Sequence, residues 1–193
     1  MSSTKTSQGT KQPGFKSSDT SIEILVIIDT DKLQLNYSGG GSKDYNKPTP
    51  IDHSYEFMYC AGAPSSQAGT GDLTFQAKPG DFVSFFGTSF YGNADAAVIV
   101  YGIQPIDGQP NVFNNFDVEQ IVRQGAAQPD PNAPSRNGMP AIHGPITFST
   151  LASRVKQAGT EKFWIQFAVY TLADGETQQL FGYFAWDPTI IVK

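Results

Sequence analysis

The chain reads as all-β: an antiparallel β-sandwich, jelly-roll or Greek-key-like, of about eight strands with long loops. Three observations predict this. Charged residues are 16% of the 193 positions and aromatics 12%, a balance that suits sheet interiors better than a helix bundle. The chain carries 19 Gly and 13 Pro, the currency of many turns. Its last part, Phe163–Val192, holds two aromatic-rich runs around Asp174-Gly175, a dipeptide suited to the positive φ angles of a hairpin turn.

Residues 1–20 are mostly Ser, Thr, Lys, Gln and Gly, with too little apolar surface to offset the entropy of ordering, and are expected to form a disordered tail. A single sandwich domain is expected over 21–193. Ile22–Ile28 is short and β-branched and predicts a buried strand ended by Asp29-Thr30-Asp31. Ser38–Ser42, with three consecutive glycines, and Lys47-Pro48-Thr49-Pro50 predict a mobile loop. Tyr55–Cys60 reads as the next strand. Leu73, Phe75 and Ala77 alternate with polar residues, the pattern of a half-buried strand, and Pro79-Gly80 turns into Phe82–Phe86. Ala96–Ile103 is apolar throughout and predicts a central strand, and two hairpin-like pairings are suggested before residue 104.

Asn111–Arg123 fits either a short helix or an irregular crossover. Five prolines between Gln124 and Pro145 predict a long structureless stretch of the kind that often carries function. Ile146–Lys156 resumes as a bulged strand. The final two runs are apolar on both faces, which places their hairpin inside the sandwich.

The net charge is −5. An acidic body argues against nucleic acid, whose affinity comes from Lys and Arg, and against anionic membrane surfaces. The N-terminus has no apolar core of a signal peptide and no run has the length of a membrane helix, so a cytoplasmic location is expected. The sequon Asn36-Tyr37-Ser38 is then a chance match. The one cysteine, Cys60, excludes an internal disulfide framework and reads as a small buried apolar residue.

Several stretches together resemble the bacterial inclusion-body protein family that includes AidA and PixA. They are Ile24–Thr30, Gly71–Asp81 (GDLTFQAKPGD), Val98–Tyr101, Gly182-Tyr183-Phe184 and Trp186-Asp187-Pro188-Thr189-Ile190. Their order spans most of residues 21–193. The resemblance implies a small protein of cytoplasmic inclusions, with density-dependent expression and a host-associated life (quorum sensing and virulence). It implies no catalytic residues. Some members are methionine-rich, whereas this chain has only Met1, Met58 and Met139, which sets methionine storage aside.

The search for chemistry assigns no catalytic residue, no metal ligand and no cofactor, and leaves ligand-binding residues unknown. The two histidines, His53 and His143, are expected in loops; a Cys60–His143 pair or a Ser–His–Asp set has no supporting motif. There is no Gly-x-Ser-x-Gly elbow, zinc helix or Walker loop. Asp29 and Asp31 have part of a calcium-loop spacing but lack its glycine and further ligands. Asn93 and Asp95, or Asn114, Asn115 and Asp117, can offer loop oxygens, although turn-forming roles explain them more simply. Tyr91, Tyr101, Tyr170, Tyr183, Trp164 and Trp186 suit core and subunit packing, or stacking on sugar rings. The expected partner is therefore the chain itself, as a homodimer or larger assembly; a glycan or a host protein is the alternative.

Overall fold

The computed structural model describes residues 20–108 and 111–193. The expected disordered tail falls, except for Thr20, outside the described residues. Thr20 is tied down: its N–H donates to Asp81 at 2.8 Å and its carbonyl accepts from Phe82 N–H.

The described chain forms two packed sheets and one short helix, with twelve strands where about eight were expected. The first sheet begins with β1 (Ser21–Ile28). Ile22, Ile24, Val26 and Ile28 are buried, so β1 presents alternate residues to the core. Helix α1 (Thr30–Asn36) follows, capped by Asp29, whose side chain accepts from Lys32 N–H at 2.9 Å. That cap explains the Asp29–Asp31 spacing without a metal. The short strand β2 (Thr49–Pro50) joins the other sheet. Strand β3 (Glu56–Ala61) pairs antiparallel with β1. Beyond β4 (Ser65–Ser66) and β5 (Leu73–Phe75), strand β6 (Phe82–Ser89) lies parallel to β1 on its other edge.

Strand β7 (Ala96–Pro105) crosses to the second sheet. Strands β8 (Asp117–Gln128) and β9 (Ile142–Arg154) return to the first. The second sheet is centred on β10 (Gly159–Leu172), flanked by β7 on one side and by β11 (Gln178–Trp186) and β12 (Thr189–Val192) on the other. The orders are β3-β1-β6-β9-β8, and β2-β11-β10-β12-β5-β4 with β7 on β10.

Both sheets are mixed: β1–β6, β2–β11 and β5–β12 run parallel. Two antiparallel pairings do lie before residue 104, β1 with β3 and β4 with β5, but β5 with β6 and β6 with β7 do not pair. Strands β6 and β7 are neighbours in sequence but belong to different sheets, as connections between the layers of a sandwich require. Among the described residues, strand β7 is an edge strand and not a central one, pairing only with β10 and leaving Ile99 half exposed. Its apolar run is explained by its inner face, where Val98 is buried and Val100 packs on the core beside Gly87.

The final hairpin is buried as expected. Phe163, Ile165, Phe167 and Val169 of β10 and Phe184 and Trp186 of β11 are all at most 1% exposed. Its loop is longer than a two-residue turn: Gly175 takes φ +84°, and Asp174 accepts from the N–H groups of Glu176 and Thr177. Strands β11 and β12 run as one line against β10, interrupted at Asp187-Pro188, where proline has no N–H to give the ladder.

Two loop expectations are corrected. The glycine run at 39–41 is a packing device: Gly41 N–H donates to Phe181 O at 3.2 Å, and a Cβ on Gly41 would lie 2.5 Å from the Phe184 ring. The proline-rich 124–145 stretch is structureless from 129 to 141, as expected, but its two ends, 124–128 and 142–145, belong to strands. Strands β8 and β9 form a long hairpin, bulged between Arg123 and Ala126, around the loop 129–141. The Asn111–Arg123 segment holds no helix; it is irregular to Phe116 and then enters β8. No helix among the described residues is long and apolar enough to cross a membrane.

Candidate functional site

A cleft of about 540 Å³ lies between β7, the start of β8 and the crossing segment 111–116. Its position is set by a buried carboxylate. Glu161 of β10 is 3% exposed and accepts from Val112 N–H at 2.7 Å and Phe113 N–H at 3.3 Å. Burial pushes the Glu161 carboxyl up, while those two N–H groups hold it down. The segment is also hooked to the end of β9: Lys156 N–H donates to Val112 O, Asn114 N–H to Arg154 O, and the Ser153 hydroxyl to Asn114 O.

So held, the segment turns its rings inward and its amides outward. Phe113, Phe116 and Phe163 meet with centroids 5.6 to 6.1 Å apart and make the apolar floor. Asn114, Asn115 and Asp117 line the mouth with Gln104, and Lys156 stands at the adjoining hollow. Amide, carboxylate and ring together can bind a small hydroxyl-rich molecule. The sequence marked Asn114, Asn115 and Asp117 as a source of oxygens. It gave no sign of Glu161, which sits in a strand whose inward register only the fold fixes.

The other residues with chemical potential are dispersed. His53 lies in a turn between two carboxylates, 3.5 Å from Asp72 and 3.3 Å from Asp187. Both carboxylates have structural work nearby. Asp72 accepts from Thr189 N–H at 2.7 Å and so opens β12, while the Trp186 indole N–H donates to Gly71 O. A Cβ on Gly71 would lie 3.0 Å from His53. His53 thus pins the Gly71–Asp72 turn to the Trp186-Asp187-Pro188 break. His143 lies in β9, not in a loop, and is exposed. Cys60 belongs to β3 at the opposite edge of the first sheet, half-buried; its thiol donates to the Ala61 and Ala63 carbonyls at 3.9 Å, and burial pushes its pKa up. The structure does not bring Cys60 and His143 together. Asn93 is a turn-former, accepting from Ser89 N–H and Val98 N–H.

The six aromatics divide. Trp186 is fully buried, and Tyr91 is exposed, with its hydroxyl donating to Asp31 at 2.5 Å. Trp164 and Tyr170 are half-buried. Tyr101 and Tyr183 meet edge-to-face at 5.5 Å on the outer side of the second sheet, beside Tyr45. The Tyr101 hydroxyl donates to Tyr45 O, and burial pushes its pKa up to about 12.

Residues 20–192 match the model of a family described as PixA, inclusion body protein. No curated protein matches the chain. Among solved structures, it is similar to the crystal structure of an inclusion body protein (PixA) from Burkholderia cenocepacia. The two are 27% identical with a TM-score of 0.72, over 93% of this chain and 99% of that one. The match runs through both sheets, the cleft and the Trp186-Asp187-Pro188 break, and on it the chain belongs to the PixA inclusion body protein family.

Proposed function

We propose that this inclusion-body-family chain is a non-enzymatic protein that acts by associating with itself. One observation carries the reading. The β8/β9 hairpin leaves Val118, Ile121, Val122, Ile142 and Phe148 between 44% and 65% exposed, on both of its faces. Two-stranded ribbons are marginal in water by themselves, and exposed apolar surface of this kind marks an association site. The non-enzymatic part is supported by the dispersal of the histidines and Cys60 and by the structural roles of Asp72 and Glu161. Expression that rises with cell density is supported by the family resemblance. Sedimentation velocity at tens of micromolar is expected to give a dimer or larger species; a monomer at every concentration would remove the reading.

A second reading, binding of a small hydroxyl-rich ligand such as a sugar, is favoured by the Asn-lined cleft with its phenylalanine floor. A glycan array with and without calcium is expected to show signal that Asn114→Ala with Asn115→Ala abolishes. Silence of the unmodified protein under both conditions would end it.

A further inference from the structure

The first sheet buries one side and leaves the other open. In register, Tyr59 of β3, Leu25 of β1 and Phe86 of β6 stand side by side on the outer side. With Glu23, Ala61, Phe148 and Thr150 they line a shallow groove of about 450 Å³. Phe148 belongs to β9 and is paired across the hairpin with Ile121 of β8. One apolar stripe therefore runs from the groove onto the ribbon. Tyr59, Phe148 and Ile121 along it are 45%, 44% and 52% exposed.

The ribbon is also unsupported at its edges. Strand β9 pairs with β6 only from Leu151 to Arg154. Between Ile142 and Thr150 its sole ladder partner among the described residues is β8, and β8 has no partner on its other side.

We infer that the stripe of Tyr59, Leu25, Phe86, Phe148 and Ile121 is a twofold interface, in which the ribbon of one copy lies across the groove of a second copy. This rests on the self-association reading and names its surface. Area supports it. About nine residue pairs make a ribbon ~30 Å long and ~10 Å wide, or ~300 Å² per face. In a twofold arrangement each copy gives both its ribbon and its groove, which approaches the ~800 Å² per partner of a standard interface. Charge supports it too. Arg123 lies two residues beyond Ile121 on the same face of β8, and Glu23 lies in the groove. A reciprocal contact sets each Arg123 against the partner copy's Glu23 end of the groove. Free edges at β8 and β9 are covered in the same act.

The test uses the full chain. Ile121→Glu with Phe148→Glu is expected to weaken the dimer at least tenfold by sedimentation, with the circular-dichroism spectrum unchanged. If that pair fails to fold, a cross-link decides. In a Cys60→Ser background, Tyr59→Cys with Ile121→Cys is expected to give a covalent dimer on a non-reducing gel. Within one copy these positions are four strands apart, ~19 Å, too far for a disulfide. A monomeric unmodified protein would overturn both this interface and the self-association reading. An assembly that survives the glutamates, or gives no cross-link, would overturn this interface alone.

Discussion

Replacing Glu56 by glutamine is expected to make the protein markedly more stable in alkaline solution while changing little in acid. Glu56 is 1% exposed at the end of β3, where its register partner is Ile28 and its side chain faces the core. One carboxyl oxygen accepts from Tyr55 N–H at 3.1 Å; the other, Oε1, has no partner. Thr30 Oγ1, at the start of α1, is also buried without one. No cation pairs with the group among the described residues: Lys32, whose charge only partly offsets the rise, gives its ammonium to Ser54 O at 2.7 Å and to the face of Tyr55. Burial therefore pushes the Glu56 carboxyl up to about 8 from 4.5, with Asp52 adding to the rise.

The sign follows from proton counting. Between pH 4.5 and 8 the folded chain keeps a proton that the unfolded chain releases, so stability falls as pH rises through that window and levels off above it. At about 1.4 kcal/mol per pH unit, the fall is on the order of 5 kcal/mol, a large part of a usual folding free energy of ~5–15 kcal/mol. Chemical denaturation at pH 5 and pH 9 measures it. The Glu56→Gln variant should lose little between the two, whereas the natural chain should lose several kcal/mol more. Equal losses in both would show that Glu56 does not titrate in this window.

Glu56 also marks the limit of what sequence pattern reveals. Tyr55–Cys60 was recognisable as a strand, yet a glutamate within it gives no sign that it faces inward beside Met58. The final hairpin was readable because both faces of β10 are covered, so its apolar run is nearly unbroken. The parallel pairing of β1 with β6 was not, since strand composition records burial and not the identity of the neighbour. Helix α1 was missed although Asp29 supplies a proper cap; seven residues offer too few turns for a period. The β8/β9 ribbon was hidden for a different reason. Both its faces are exposed, so nothing imposes alternation, and its apolar residues looked like a helix face or a crossover. The cleft was half visible: Asn114, Asn115 and Asp117 stood out as oxygen donors, but the floor of Phe113, Phe116 and Phe163 joins two distant segments.

Gly182→Ala is expected to be among the most destabilising small substitutions in the chain. A Cβ at this position of β11 would lie 2.4 Å from both N and Cα of Gly41. These are backbone atoms, so no side-chain rotation can make room. The loop cannot retreat cheaply. Gly41 N–H donates to Phe181 O, Ser42 O accepts from Tyr183 N–H at 2.8 Å, and the Lys43 ammonium donates to Leu180 O and Phe181 O. Together these contacts cover the exposed edge of β11 next to β2, the protection an edge strand requires. Overpacking of this kind costs ~1–3 kcal/mol, and the lost hydrogen bonds add ~1 kcal/mol each. The natural comparison is Gly175→Ala, where φ is +84° but the added Cβ meets nothing within 4 Å; only the left-handed backbone resists there, at ~1–2 kcal/mol. Thermal unfolding of the two variants separates close packing from backbone strain. If Gly182→Ala lowers stability by no more than Gly175→Ala does, the glycine run at 39–41 is not the clasp on β11 that its contacts describe. If the packing account holds, Gly182→Ala should also open residues 39–48 to limited proteolysis, because the edge and the loop that guards it separate together.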